Sequence, residues 1–430
     1  MNQESEDHDV RLESIPLNDD SKSSKSKRSY RKKKVRALKD DYIGERPASK
    51  FKEFSAGIKQ RLAPYLENKY ARFVILTFSI YIFILSIETI GSGFKHLGSD
   101  FSESLISTMS DPVSALFIGM LATALVQSSS ATTSIIVAMV AAGTLPFNVA
   151  IPAIMGANIG TTVTNTLVSL GHIRRKEEFR RAFAGSTCHD MFNILGVIIL
   201  LPIELIFHPL RYISTSMAGF FEGAGGLKFV SPLKLITKPV VKVIASTLEG
   251  VFPEGVVGVL MIAIGLIILF IALKVIVDTM RKFMMKKAEV LINKYLFKAP
   301  IYAFLLGAGL TAAIQSSSIA TSLMVPLVGA GILTVEKKFP YTMGTNLGTT
   351  VTALIAALGI GAAAGLQIAF AHLMFNILAI SIIYPMRKVP IGMALKLGDL
   401  GAERKRVVLL YILCTFYILP ILYLIIAGWF

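Results

Sequence analysis

Gln127-Ser128-Ser129-Ser130 and Gln315-Ser316-Ser317-Ser318 are one phrase written twice in the same chain. Each is followed by a second shared phrase, Gly156-Ala157-Asn158-Ile159-Gly160-Thr161-Thr162 and Gly344-Thr345-Asn346-Leu347-Gly348-Thr349-Thr350. Both pairs are offset by 188 residues (127 to 315 and 156 to 344). A third echo, Met191-Phe192-Asn193-Ile194-Leu195 and Met374-Phe375-Asn376-Ile377-Leu378, is offset by 183 (193 to 376). Three echoes in the same order mark two homologous halves, each carrying a hydroxyl- and amide-rich interruption inside apolar sequence.

The 430 residues are 53% hydrophobic, with a mean hydropathy of +0.62, and their apolar runs reach bilayer-spanning length. The expected fold class is an all-α polytopic membrane protein. A net charge of +16 would suit nucleic acid, but Lys and Arg gather in the N-terminal tail and in short inter-helix segments, the positive-inside pattern. Membrane lipids, and no nucleic acid, are the expected partners. Only Cys188 and Cys414 occur, both in apolar segments, which argues against a disulfide framework. No secretory signal peptide and no Asn-x-Ser/Thr sequon are visible.

Working outward from the phrases divides the chain into six segments. Residues 1–50 read as a disordered basic cytoplasmic tail. Residues 51–69 read as an interfacial amphipathic helix, with Phe51, Phe54, Ile58, Leu62 and Tyr65 at helical spacing. Residues 70–205 form a first transport repeat, with spans near 73–90, 147–170 and 182–203 and two short arms at 113–126 and 131–145. Such an arm reaches only ~21 Å against a ~30 Å hydrocarbon core, so the arms and their serines are expected to form a re-entrant helical hairpin. Residues 206–253 are an extracellular connector. Residues 254–386 repeat the plan, with spans near 256–277, 341–358 and 366–386 and a hairpin at 302–333. Residues 387–430 hold a basic cytoplasmic segment and a final span outside the repeat. The spans at 147–170 and 341–358 are expected to be interrupted at their glycine- and threonine-containing phrases.

With the N-terminus cytoplasmic, three crossings per half put the basic segments 174–181, 281–298, 337–338 and 387–406 on the inside. An odd number of crossings makes the halves two inverted repeats, a recurrent secondary-transporter plan with discontinuous helices meeting at the midplane. The expected location is a plasma membrane, the inner membrane in a bacterium, with a multi-pass topology.

A serine run that opens a helical arm caps free backbone N–H groups and can turn its hydroxyls towards a ligand. Two such helix starts converging at the midplane suit an anion. No Lys or Arg occurs between Lys95 and Arg174 or between Lys298 and Lys337, so the counter-charge is expected from co-bound Na⁺. Oxygen ligands from Gln127, Gln315, Asn193, Thr161, Thr162, Thr349 and Thr350 are hard donors suited to it. Asp190 is an acid within a span, which costs ~2.5–3.5 kcal/mol on insertion scales and so faces a cavity or a partner. Its counterpart in the second half is Leu373, so the acid makes the halves unequal, either as a Na⁺ ligand or through a local hydrogen bond to His189 or a serine. Glu88, Glu204 and Asp278 lie near span ends and are expected to snorkel. His189 and His372 are expected to make helix-packing hydrogen bonds. No zinc site, Walker A loop, hydrolytic triad or Rossmann fingerprint is present; neither a cofactor nor a transition metal is expected, and the chain is not read as an enzyme.

The paired QSSS phrases and their GANIGTT-like sequels, together with Phe179-Arg180-Arg181-Ala182-Phe183-Ala184-Gly185 leading into His189-Asp190, resemble the type II sodium-dependent phosphate cotransporters over residues 72–386. The resemblance implies Na⁺-driven uptake of inorganic phosphate by alternating access. Ser128, Ser129, Ser130, Ser316, Ser317 and Ser318 would hold phosphate, and Gln127, Gln315, Asn158 and Asn346 would share phosphate and Na⁺ coordination. An Asp at position 190 implies a further Na⁺ site and electrogenic transport, and family members are described as dimers, which makes a homodimer a further expectation. The long cysteine-bearing, glycosylated loop of animal members is missing here, as in a compact bacterial-type member. Hydroxyl and helix-dipole ligands also suit sulfate, arsenate or a carboxylate, and an anion channel or a membrane scaffold stands as the reading from another class.

Overall fold

The computed structural model describes residues 68–98, 111–223, 232–296 and 298–428. The expected tail at 1–50 and all but the end of the expected interfacial helix at 51–69 lie outside the described residues. The chain divides into two units, residues 1–71 and 72–430, and the architecture below belongs to the second, apart from the first three residues of its first helix.

Every described element is helical. The first half begins with α1 (Lys69–His96), α2 (Pro112–Val126) and α3 (Ser129–Ala142). Asp111 starts α2 by accepting the N–H groups of Val113 and Ser114, while Pro112 has no N–H to satisfy. The helix stops at Gln127, whose φ of 55° is left-handed. Two residues on, α3 starts under the Ser128 hydroxyl, which accepts the Ala131 N–H at 3.2 Å. The serine phrase is therefore a helix stop followed at once by a helix start. At 15 residues, α2 is about 22 Å long, short of a bilayer core.

Next come α4 (Phe147–Thr161) and α5 (Val163–Ser169), then α6 (Lys176–Phe207). The connector holds α7 (Pro209–Gly223) and α8 (Pro232–Glu249). Glu204 does not snorkel: it is buried and accepts the N–H groups of Leu210 at 2.7 Å and Arg211 at 3.2 Å, capping α7. Glu88 is likewise engaged, accepting the Thr237 hydroxyl.

The second half opens with α9 (Glu254–Tyr295), whose 42 residues run unbroken; the basic stretch beyond residue 280 continues a helix rather than linking two. Then follow α10 (Pro300–Ile314), α11 (Ser317–Ser322), α12 (Val325–Gly329), α13 (Val335–Ile360) and α14 (Ala363–Ile383). Gln315, at φ 60°, ends α10 as Gln127 ends α2, and Ser316 caps α11 as Ser128 caps α3. The chain closes with α15 (Lys388–Glu403), α16 (Lys405–Leu413), a π-helical turn at Cys414–Ile418 and α17 (Leu419–Ile426).

Among the described residues, six stretches are long and apolar enough to cross a membrane: Tyr70–His96, Lys176–Phe207, Glu254–Met284, Val335–Ile360, Ala363–Ile383 and Lys405–Ile426. The seventh expected span, 147–170, is two shorter helices parted at Thr162. Its counterpart departs from expectation, because α13 passes through Gly344–Thr350 as one continuous helix.

The reason is what the glycines do. Gly156 and Gly160, and equally Gly344 and Gly348, are spaced as the small-residue motif that lets membrane helices touch backbone to backbone. A Cβ on Gly156 would stand 1.8 Å from the Leu116 carbonyl oxygen, and one on Gly160 2.3 Å from that of Met120. In the second half a Cβ on Gly344 would stand 2.0 Å from the Phe304 oxygen, and one on Gly348 2.5 Å from that of Ala308. These four partner pairs coincide under the 188-residue offset. So α2 packs on α4 as α10 packs on α13, and the glycines serve contact rather than unwinding.

Candidate functional site

The two serine phrases, distant in sequence, line one cavity. Gln127, Ser128, Ser129 and Ser130 face Gln315, Ser316, Ser317 and Ser318 around a cavity of about 40 Å³, with Leu273 and Val277 of α9 closing one wall. Ser129 and Ser317 are each only 3% exposed. The Ser130 hydroxyl donates across the halves to the Gln315 carbonyl oxygen at 3.4 Å and to the Thr352 hydroxyl at 3.4 Å. Thr352 in turn donates to Gln315 Oε1 at 2.8 Å, while Gln315 Nε2 donates to the Ala312 carbonyl at 2.5 Å. The Gln315 side chain is thus held on both ends.

Among the described residues, no charged side chain lines this cavity. Its polarity comes from the first amides of α3 and α11, which lack intrahelical acceptors, and from the serines. Ser128 and Ser316 each accept a backbone N–H, from Ala131 and Ile319. A hydroxyl whose oxygen already accepts can still turn its own hydrogen towards an anion. The phrase threonines are set the other way round. Thr161 donates to Ala157 O, Thr162 to Ile159 O, Thr349 to Thr345 O and Thr350 to Leu347 O, at 2.7–3.0 Å. With that hydrogen spent, each oxygen offers only lone pairs, which suit a cation.

Asn158, Asn193 and Asn346 are buried in a separate polar network and do not line the serine cavity. His189 Nε2 of the first half donates to Asn346 Oδ1 of the second at 2.5 Å, and His372 Nε2 of the second donates to Asn158 Oδ1 of the first at 3.3 Å. This exchange across the halves fits the packing role expected of both histidines. Asn346 Nδ2 continues to Asn193 Oδ1 at 2.6 Å, and Asn193 Nδ2 to the Asn158 carbonyl at 3.0 Å.

The two sides of the network are not equally satisfied. Asn165 donates to His189 Nδ1 at 3.3 Å and accepts the Thr321 hydroxyl at 2.7 Å. Thr321 also reaches Ser317 O at 2.7 Å, which connects the network to the second serine phrase. The counterpart of Asn165 is Ala353, which has nothing to donate, and His372 Nδ1, Asn158 Nδ2 and Asn376 Oδ1 are buried without a partner.

Asp190 is fully buried on α6. Neither His189 nor a serine holds it. Its Oδ2 accepts the Thr166 hydroxyl of α5 at 3.1 Å and the Tyr411 hydroxyl of α16 at 2.7 Å, while Oδ1 has no partner. A second asymmetric charge stands near it. Lys338, expected in a solvent-facing inside segment, is 1% exposed on α13. Its Nζ donates to the Gly185 carbonyl of α6 at 2.6 Å, within electrostatic reach of Asp190. Its counterpart is Ala150. Lys338 was misplaced because the pair Lys337-Lys338 reads as a loop, whereas the helix start at Val335 turns the second lysine inward.

Sequence reasoning also missed Asn165, Thr321, Thr352 and Tyr411. Asn165 carried a signal, an amide within an apolar stretch. So did Tyr411, because Tyr411, Tyr417 and Tyr423 recur every six residues along the final span. Their hydroxyls donate to Asp190 Oδ2, to the Ala124 carbonyl at 3.3 Å and to Asp111 Oδ2 at 2.6 Å, tying the non-repeated span to the first half at three places.

Comparison with known proteins identifies relatives of this chain. A family model described as Na⁺/Pi-cotransporter matches residues 82–230 and 268–396. The sodium-dependent phosphate transport protein 2B of Homo sapiens is 33% identical over 453 aligned positions, covering 83% of this chain and 66% of that protein. Protein 2B of Pongo abelii matches to the same extent. Protein 2A of Rattus norvegicus is 33% identical over 448 positions, covering 86% of this chain and 70% of its own length. The chain thus spans just under two thirds of the 2B proteins. No solved structure matches it significantly.

Proposed function

The chain belongs to the Na⁺/Pi-cotransporter family, and from that premise we propose that it is a secondary active symporter coupling Na⁺ entry to uptake of inorganic phosphate. The observation that carries the reading is the cavity shared by Gln127–Ser130 and Gln315–Ser318, polar and without a charged side chain among the described residues. Phosphate sits there between the amides that open α3 and α11, held by the hydroxyl hydrogens of Ser128, Ser129, Ser316, Ser317 and Ser318, and by that of Ser130 once it turns from its 3.4 Å contacts with Gln315 and Thr352. Asn158 and Asn346 act from beneath, fixing α4 and α13 through the two histidines. Na⁺ supplies the charge that the cavity lacks. Its ligands are the lone pairs of Thr161, Thr162, Thr349 and Thr350, the side-chain oxygens of Gln127, Gln315 and Asn193, and the unpartnered Oδ1 of Asp190.

Two inverted repeats, each of three crossings and a re-entrant hairpin, give this site its symmetry in the proposal, and the serine phrases enter from opposite faces. The matched stop-and-cap pairs at Gln127 and Gln315 and the histidine–asparagine exchange support that arrangement. Alternating access then exposes one cavity to each side in turn, with the N-terminus cytoplasmic. Asp190, present in one half only, makes the cycle electrogenic.

The test is radiolabelled phosphate uptake into proteoliposomes under an inward Na⁺ gradient and under a matched K⁺ gradient, at zero voltage. Uptake should require Na⁺ and resist an excess of sulfate. Uptake indifferent to Na⁺ would exclude symport, and full competition by sulfate would shift the substrate class.

A further inference from the structure

We infer that Tyr411, on the final span outside the duplicated halves, is a positioning residue for the Asp190 carboxylate in Na⁺ coupling. The inference rests on the functional reading above. It starts from where Tyr411 lies: the matched family region ends at residue 396, and the span Lys405–Ile426 follows it. Nothing in the duplicated phrases calls for this span, yet it delivers the shortest hydrogen bond that Asp190 makes, 2.7 Å from the Tyr411 hydroxyl.

The carboxylate is held asymmetrically. Thr166 and Tyr411 both donate to Oδ2, from opposite elements, α5 and α16. Two donors on one oxygen fix the plane of the carboxylate, and Oδ1 is left buried without a hydrogen bond; the Thr162 hydroxyl lies beside the carboxylate but donates to the Ile159 carbonyl at 2.8 Å. A buried carboxylate oxygen without a partner is costly, and in this setting it is the atom presented to a cation. A phenol is well suited to the task, because its rigid ring places the hydroxyl without long-chain entropy. The ring is itself braced edge-on by Phe183, at 6.2 Å between centroids, and by Phe416, also at 6.2 Å. Tyr411 therefore acts through Asp190 and does not touch the ion, as outer partners of metal-binding carboxylates do.

The same span provides its own control. Tyr417 also makes a hydroxyl contact, 3.3 Å to the Ala124 carbonyl of α2, and not to Asp190. If the tyrosines only fasten the final span, removing either hydroxyl has the same consequence. If Tyr411 orients the cation ligand, only its loss changes the response to Na⁺.

The experiment measures phosphate uptake against Na⁺ concentration in proteoliposomes of the full chain. Tyr411→Phe is expected to raise the half-saturating Na⁺ concentration by about tenfold, with the maximal rate and the phosphate KM at saturating Na⁺ retained. Tyr417→Phe should leave the Na⁺ response unchanged. In an Asp190→Asn background, Tyr411→Phe should add no further shift. Thr166→Val removes the other hydroxyl from the same oxygen and should move the Na⁺ response in the same direction, which keeps the test decisive if Tyr411→Phe does not reach the membrane. An unchanged half-saturation in Tyr411→Phe or Thr166→Val, or an equal shift in Tyr417→Phe, overturns the positioning role. Wild-type uptake indifferent to Na⁺ would instead overturn the symport reading, and this inference with it.

Discussion

Replacing Gly156 by alanine adds one methyl group where the structure has no room for it. The new Cβ would stand 1.8 Å from the Leu116 carbonyl oxygen and 2.9 Å from the Met120 amide nitrogen, whereas ordinary contact begins at 3.4 Å. The obstacle is helix backbone and cannot swing aside, so α2 must retreat from α4 by about 1.6 Å at that point. Overpacking of this kind costs roughly 1–3 kcal/mol, and a backbone obstacle puts it at the upper end. Alanine recovers about 1 kcal/mol of helix propensity over glycine, leaving a net loss of about 2 kcal/mol. The functional loss should be larger than the stability loss, because α2 ends at Gln127 and carries one wall of the serine cavity with it. Gly344→Ala, 2.0 Å from the Phe304 oxygen, should behave alike. Gly309→Ala, on α10 with nothing within 4 Å, is the control and should be neutral or mildly stabilising. The assay pairs thermal unfolding in detergent with Na⁺-driven phosphate uptake. Wild-type stability and uptake in Gly156→Ala would refute the backbone contact and the reading of the glycines that follows from it.

Three further outcomes are expected. Asp190→Asn should lower the net charge carried per phosphate by about one and flatten the voltage dependence, which is worth ~2.3 kcal/mol per charge per 100 mV. Current and labelled phosphate measured together check this, and unchanged charge per phosphate removes Asp190 from coupling. Asn346→Leu strips His189 and Asn193 of their buried partners and should cost about 2–4 kcal/mol, read as a lower unfolding temperature; wild-type stability would show the network to be dispensable. Lys338→Met should lower the half-saturating Na⁺ concentration about threefold to tenfold, since an ammonium and a bound cation repel by on the order of 1 kcal/mol at an effective dielectric near 20. An unchanged Na⁺ response would mean that the two charges do not share a field.

Much of the helical architecture was legible from spacing alone. Two offset phrases and apolar runs of spanning length gave the duplication, and the QSSS phrases marked two helix starts because serine is a strong N-cap. The Gly-x-x-x-Gly spacing was visible too, but glycine speaks for unwinding and for close packing equally, and only the partner backbone decides between them. At Gly344 and Gly348 that partner is α10, so α13 stays whole. The site was legible where its residues repeat and hidden where they do not. Asp190 stood out as a charge in an apolar span. Lys338 did not, because its burial depends on the turn at which α13 begins. Tyr411 could not be joined to Asp190 from sequence, because 221 residues separate them and no repeat relates them. Asn165 gains its meaning only from Ala353, the counterpart that leaves His372 Nδ1 without a donor.

The central claim is that both serine phrases hold one phosphate. Its most direct test is Na⁺-driven uptake of radiolabelled phosphate by Ser129→Ala, Ser317→Ala and the double variant, each normalised to protein in the membrane. Because the two side chains are buried to the same degree on opposite walls of one cavity, each single change should weaken apparent phosphate affinity and the double change should abolish uptake. Full uptake by the double variant, with the protein correctly inserted, would place the substrate elsewhere.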